Sequence, residues 1–143
     1  MIFDVVTNFY FLSVFVAWIV SCLIKMLIHF FYSGSFSFFA GFRNGGMPSS
    51  HSALMGSITF ALFLEQGLSP VFFLAFVLAT LILRDAVTVR REVGVLGDSV
   101  NVLLKKQKIN SLKVVYGHTF FQVLVGLFIG VISTGFFFLV LLI

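Results

Sequence analysis

The chain has 143 residues, 60% of them hydrophobic and 10% charged, with a formal net charge of +4 and a mean hydropathy of +1.16. A soluble domain carries about 25% charged residues, so this composition excludes an ordinary water-soluble protein and points to one membrane-embedded domain spanning residues 1–143. The lone cysteine, Cys22, has no partner for an intrachain disulfide and reads as a packing residue, while the 21 phenylalanines read as lipid-facing bulk.

The first ten residues carry Asp4 and no lysine or arginine, so the basic start of a cleavable signal peptide is missing. A bilayer span needs about 20 mostly apolar residues, and four stretches qualify. The first runs from Val5 to Phe31 and ends in a Gly/Ser-containing loop. The second runs from Pro48 to about Gln66, with Gly67 and Pro70 marking the turn. The third starts near Pro70, stays apolar to Leu83 and continues through Arg84 and Asp85 toward Arg91. Residues 90–118 are polar, with Val95, Leu96, Val100, Leu103 and Leu104 at the spacing of an amphipathic surface helix. The fourth span begins near Thr119 and reaches Ile143. The predicted fold is an all-α polytopic membrane bundle of about four spans plus this amphipathic helix.

All nine basic residues lie in or near the 32–47 and 90–118 loops, including Lys25, Arg43, Arg84, Arg90, Arg91 and Lys113. Positive residues stay cytoplasmic. Both loops are therefore expected in the cytoplasm, with both termini outside a multi-pass cell-membrane protein. That geometry gathers ionisable groups from four helices at one membrane surface: Lys25 with His29, His51, the Arg84–Arg91 cluster and His118. Such residues at membrane level are costly and point to function.

Residues 45–52 read Gly-Gly-Met-Pro-Ser-Ser-His-Ser, where a polar loop enters an apolar run. Pro48 suits a first helical turn, and the N–H groups of Ser49, Ser50 and His51 would then lack intrahelical acceptors. Such an end attracts phosphate, and two hydroxyls and an imidazole add donors and a titratable group. The alternative is an N-capped span with an incidental histidine.

The later segment reads Tyr116-Gly117-His118-Thr119-Phe120-Phe121-Gln122-Val123. Together with Pro48-Ser49-Ser50-His51, it resembles the type 2 phosphatidic acid phosphatase and vanadium haloperoxidase superfamily, with its Pro-Ser-Gly-His and His-x-x-x-Asp segments. The chain is more closely similar to a small divergent branch of integral membrane proteins. That branch carries the 45–53 segment, an Asp-Ala-x-x-Val-Arg-Arg-x-x-Gly segment (here Asp85 to Gly94) and Gly-His-Thr-x-x-Gln-Val (here 117–123). The resemblance implies phosphomonoester hydrolysis with neither metal nor other cofactor. His118 would attack phosphorus and become a phosphohistidine. His51 would protonate the leaving oxygen, and Ser49, Ser50 and backbone N–H groups would cradle the phosphate.

Three departures from the superfamily pattern bear on this. Its Ser-Arg pair falls here at Ser111-Leu112-Lys113, so Arg90 and Arg91, or else Lys113, must supply the charge. Its orienting aspartate is replaced by Gln122, which also completes a capping-box pattern with Thr119. Its Lys-x6-Arg-Pro segment is not intact, leaving Lys25 and Arg43 as substrate-binding candidates. Asp85 is expected to pair with Arg84 or Arg90, or to orient a phosphate-holding arginine. His29 reads as a satisfied interfacial histidine, with substrate contact as the alternative. Lys105, Lys106 and Lys108 read as a surface that attracts anionic headgroups. Gly126 and Gly130 are expected to pack helices within the monomer, with a homodimer as the alternative. The expected partners are the bilayer and a lipid-linked phosphate (polyprenyl or phosphatidate type), with no nucleic acid. The rival to a lipid phosphate phosphatase is a non-catalytic lipid-phosphate-binding scaffold or transporter subunit.

Overall fold

A computed structural model describes residues 8–42 and 46–142. The expected helix start at Val5, the cation Arg43, Gly45 of the octapeptide and the end at Ile143 lie outside them. The described residues form five α-helices and no strand: α1 (Phe9–Ser33), α2 (Ser50–Gln66), α3 (Pro70–Val87), α4 (Val89–Lys106) and α5 (Phe120–Leu141), with a 3-10 turn at Phe38–Phe42. The chain is an all-α membrane protein. By length and composition, α1, α5 and α3 with its continuation into α4 can cross a membrane.

Each boundary has a local cause. Asn8 caps α1, its Oδ1 accepting from the N–H of Tyr10 at 2.9 Å, and Gly34 closes the helix in the left-handed region at φ 66°. The second helix starts at Ser50, two residues later than expected, because Ser49 adopts an extended conformation and caps it. Ser69 caps α3 through the N–H of Phe72 at 3.2 Å, with Pro70 in the first turn. The third helix continues through Arg84 and Asp85 toward Arg91, as expected, with one interruption at Thr88. There Thr88 leaves helical geometry at ψ −80° and its hydroxyl donates back to the Arg84 carbonyl at 2.8 Å.

α2 is the central helix and packs against α1, α3 and α5. It has only 17 residues, at the low end of the ~17–25 needed to span. Its neighbours shield it, so it tolerates small and polar residues; Ser52, Ala53, Gly56, Ser57 and Ala61 are buried. Without a hydrophobic drive between helices in lipid, close van der Waals approach holds such bundles together. The approach here is extreme. A Cβ on Gly126 would sit 2.3 Å from the Ser49 carbonyl oxygen, and one on Gly130 would sit 2.2 Å from that of Ala53. The glycine pair therefore packs α5 onto α2 within one chain. Across the same interface the Ser57 and Thr134 hydroxyls pair at 2.7 Å. The outward faces are aromatic: Phe73, Phe128 and Phe136 are more than half exposed.

α4 is amphipathic, as its spacing predicts. One face carries the returning segment 109–118, where Gly94 and Gly97 lie so close to Tyr116 and Val114 that a Cβ would clash at 2.8 and 2.9 Å. Asn101 pairs with the backbone of Leu112 through both its amide atoms, at 2.7 and 3.0 Å, and the Tyr116 hydroxyl donates to Asp98. The opposite stripe, including Leu96 and Leu103, is exposed.

Candidate phosphate site

The returning segment ends by locking onto the α3–α4 junction. The backbone N–H of His118 donates to the Ala86 carbonyl at 3.0 Å. Gly117 passes so close that a Cβ would lie 2.6 Å from the Arg91 nitrogen. Two residues later Thr119 starts α5 with a complete capping box: its Oγ1 accepts from the Gln122 N–H at 3.3 Å, and Gln122 Oε1 accepts from the Thr119 N–H at 3.0 Å. The same Oε1 stands 3.3 Å from Nδ1 of His118. Capping and orienting thus use one side chain.

His118 is 7% exposed. Burial pushes its pKa below the usual histidine value, and the nearby charges of Lys25 and His51 act in the same direction. Gln122 and the Gly46 backbone favour the charged ring but do not outweigh burial. Burial therefore favours the neutral ring.

Two adjoining clefts share His51. One, of about 420 Å³, is lined by His51, His118, Arg90, Tyr116 and Val93. The other, of about 250 Å³, is lined by His51, Lys25, Ser50, Trp18 and Phe42. Lys25, only 8% exposed on α1, acts electrostatically on both histidines, and Arg90 acts on His51. The structure brings together His118, His51, Lys25, Arg90, Ser50 and Gln122.

Other candidates are placed elsewhere. Ser49 is fully buried, its Oγ accepting from the Ser52 N–H at 3.4 Å and its own N–H donating to the Gln122 carbonyl at 3.2 Å, so neither group faces the clefts. The octapeptide cradle thus shrinks to Ser50 and His51. Arg91 does not line either cleft and is exposed. Asp85 pairs with Arg90 at 3.0 Å, one of its two expected partners, on a half-exposed surface. His29 hydrogen-bonds Ser33 at 3.2 Å, away from the clefts. Lys113, Lys105, Lys106 and Lys108 are exposed on α4 and the segment after it. No group of three or more His, Cys, Asp or Glu side chains able to hold a metal occurs among the described residues.

Tyr116, Trp18 and Phe42 line the clefts without having been singled out as site residues. Tyr116 precedes Gly117-His118 directly, and Trp18 stands seven residues before Lys25, on the same face of α1. Phe42 carried no such signal.

The chain is a multi-pass helical membrane protein with two histidines and two cations lining adjoining clefts at one end of the bundle. The profile of the Divergent PAP2 family matches residues 6–133, and the chain belongs to that family. It is also similar to YuiD of Bacillus subtilis (strain 168), described as an uncharacterized membrane protein, with 31% identity over 149 aligned positions covering 92% of this chain and 94% of that one. No solved structure matches it significantly.

Proposed function

We propose that this protein is a membrane phosphatase that hydrolyses a lipid phosphate through a phosphohistidine on His118. The observation that carries the reading is His118, its Nδ1 3.3 Å from Gln122 Oε1, sharing a cleft with His51 and Arg90. Gln122 accepts the Nδ1 proton, so Nε2 holds the lone pair. That nitrogen attacks phosphorus while the bond to the leaving oxygen breaks, and His51 supplies the proton that oxygen needs. Water then attacks the phosphohistidine with His51 as base, releasing phosphate and restoring Nε2. Arg90, Lys25 and Ser50 offset charge on the equatorial oxygens, the electrostatic contribution that usually dominates phosphoryl transfer.

In this reading the clefts lie on the cytoplasmic side and both termini lie outside, following the one-sided basic residues. A substrate tail stays in the bilayer while its headgroup reaches the cluster. The test is phosphate release from a panel of lipid phosphates by purified protein, in chelator, with vanadate as inhibitor. Release by wild type, abolished in His118→Ala together with the phosphoenzyme, supports the reading. A second reading, a non-catalytic lipid-phosphate binder, is favoured by the neutral amide of Gln122, which brings no negative charge to an imidazolium. Binding without release at any pH would establish it.

A further inference from the structure

α4 carries an apolar stripe that no other part of the described chain covers. Val89, Val93, Leu96, Val100 and Leu103 follow one another at alternating steps of four and three residues, and each is between 40% and 62% exposed. Among the described residues no helix but α3 packs against α4, and the returning segment takes the neighbouring face through Gly94, Gly97 and Asn101.

The shape and composition of the stripe indicate what fits it. Steps of four and three mark the narrow seam of a two-stranded coiled coil, with Val93 and Val100 at a and Val89, Leu96 and Leu103 at d. Lipid suits it less. Arg90, Arg91, Glu92, Asp98, Lys105 and Lys106 keep α4 out of the hydrocarbon. The helix also holds none of the chain's 21 phenylalanines, and no tryptophan or tyrosine, although aromatic rings are what anchor a helix at a membrane surface.

The flanking charges choose the direction of a partner helix. Glu92, Ser99 and Lys106 stand along the free edge of the seam, seven residues apart. On the other edge Gly97 lies against Val114 and Arg90 lines the phosphate cleft. In an antiparallel pair each layer sets a valine against a leucine, Val93 on the partner's Leu103 and Leu96 on the partner's Val100. Like edges then meet, so Glu92 faces the partner's Lys106 at both ends and the two Ser99 residues face each other at the centre. A parallel pair would set Glu92 beside Gly97 and Ser99 beside Leu104, with no ion pair. The stripe and its free edge are therefore complementary to themselves about a twofold axis.

We propose that α4 pairs antiparallel with α4 of a second copy of this chain, making the protein a homodimer whose twofold axis passes beside Ser99. Both copies enter the bilayer the same way round, so the axis follows the membrane normal and α4 lies across it. The junction with α3 permits this, because the Ala86 carbonyl bonds the His118 N–H and Gly117 is wedged against the backbone of Arg90 and Arg91. Insertion of that kind bends helices sharply. Val93 also lines the phosphate cleft, so the partner's Leu103 seated on it completes part of the cleft wall.

The test uses the full-length protein in a Cys22→Ala background, in nanodiscs wide enough for two copies. Two differently tagged chains, one with Glu92→Cys and one with Lys106→Cys, are co-expressed and treated with a short bismaleimide. The mixed pair should cross-link, whereas two Glu92→Cys chains should not. Cross-linking of the like pair in place of the mixed one would overturn the antiparallel register. Light scattering of the wild type should give the mass of two chains. A single-chain mass, with a fluorophore at Leu96→Cys quenched by a nitroxide on lipid, would assign the stripe to the bilayer surface and overturn the dimer. Glu92→Lys sets like charges together at both ends and should weaken association about tenfold, and adding Lys106→Glu should restore it. Wild-type association in a folded Glu92→Lys variant would reject the pairing. None of these outcomes depends on whether phosphate is released, so the dimer and the phosphatase reading stand or fall separately.

Discussion

Gln122 Oε1 lies 3.3 Å from His118 Nδ1 while also accepting the Thr119 N–H at 3.0 Å. An amide's oxygen and nitrogen are not distinguished by shape, but here the backbone N–H is a donor only and determines which atom faces it. An oxygen so held accepts from His118, which puts the imidazole proton on Nδ1 and the lone pair on Nε2. A helix cap therefore sets a tautomer.

Exchanging that residue should separate the two roles. Gln122→Glu preserves the capping box but places a carboxylate beside the imidazole, raising the His118 pKa. The acid limb of the pH–rate profile should move to higher pH. Gln122→Leu should lower turnover by at least about tenfold and cost roughly 1 kcal/mol of helix capping. A profile unmoved in Gln122→Glu would show that the contact does not tune His118.

The pH dependence of stability follows from burial of His118. Its folded pKa lies below the usual value of about 6.5. The unfolded chain therefore binds more protons between those two values, and stability rises with pH across that window. The contribution is complete above about 6.5 and is lost as pH falls toward the folded value. Thermal unfolding in detergent from pH 7.5 to 5 should show the decline, and His118→Gln should flatten it. A His118 resonance titrating at or above the ordinary histidine value would contradict this.

Arg90 and Arg91 should not behave alike. Arg90→Lys removes a fork that can hold two phosphate oxygens and should reduce kcat/KM by about tenfold or more. Arg91→Lys should stay within about threefold of wild type, since Arg91 lines neither cleft. The reverse order would move the phosphate to the other side of α4.

Helix packing makes a sharper prediction. Gly130→Ala puts a methyl 2.2 Å from the Ala53 oxygen, and overpacking of this kind costs about 1–3 kcal/mol. The melting temperature should fall while the oligomeric state, followed by light scattering, stays as in wild type. Wild-type stability with a changed oligomer would assign the glycines to an interface between copies.

Orientation is tested by labelling single cysteines at Ser35 and Asn110 in a Cys22→Ala background. Both should be protected from an impermeant reagent in intact cells and should react after lysis. Reaction in intact cells would invert the topology inferred from the basic residues.

The apolar runs, their lengths and the residues at their ends were enough to predict an all-α membrane bundle, because backbone groups in lipid must bond within their own segment. Asn8, Ser69 and Thr119 cap helices through neighbours two or three residues away, so local sequence specifies them. The three motifs likewise pointed to His51 and His118. Which of the flanking residues reach the site was decided only in three dimensions. Ser49 turns its hydroxyl and N–H inward because Gly126 lets α5 approach until the Gln122 carbonyl meets it. Arg90 and not Arg91 lines the cleft because neighbours on α4 point about 100° apart, and only Arg90 faces the cleft formed with His51 and His118. Those choices depend on contacts between segments tens of residues apart, set by how closely two backbones can pack, and a linear pattern of residue types carries no record of that distance.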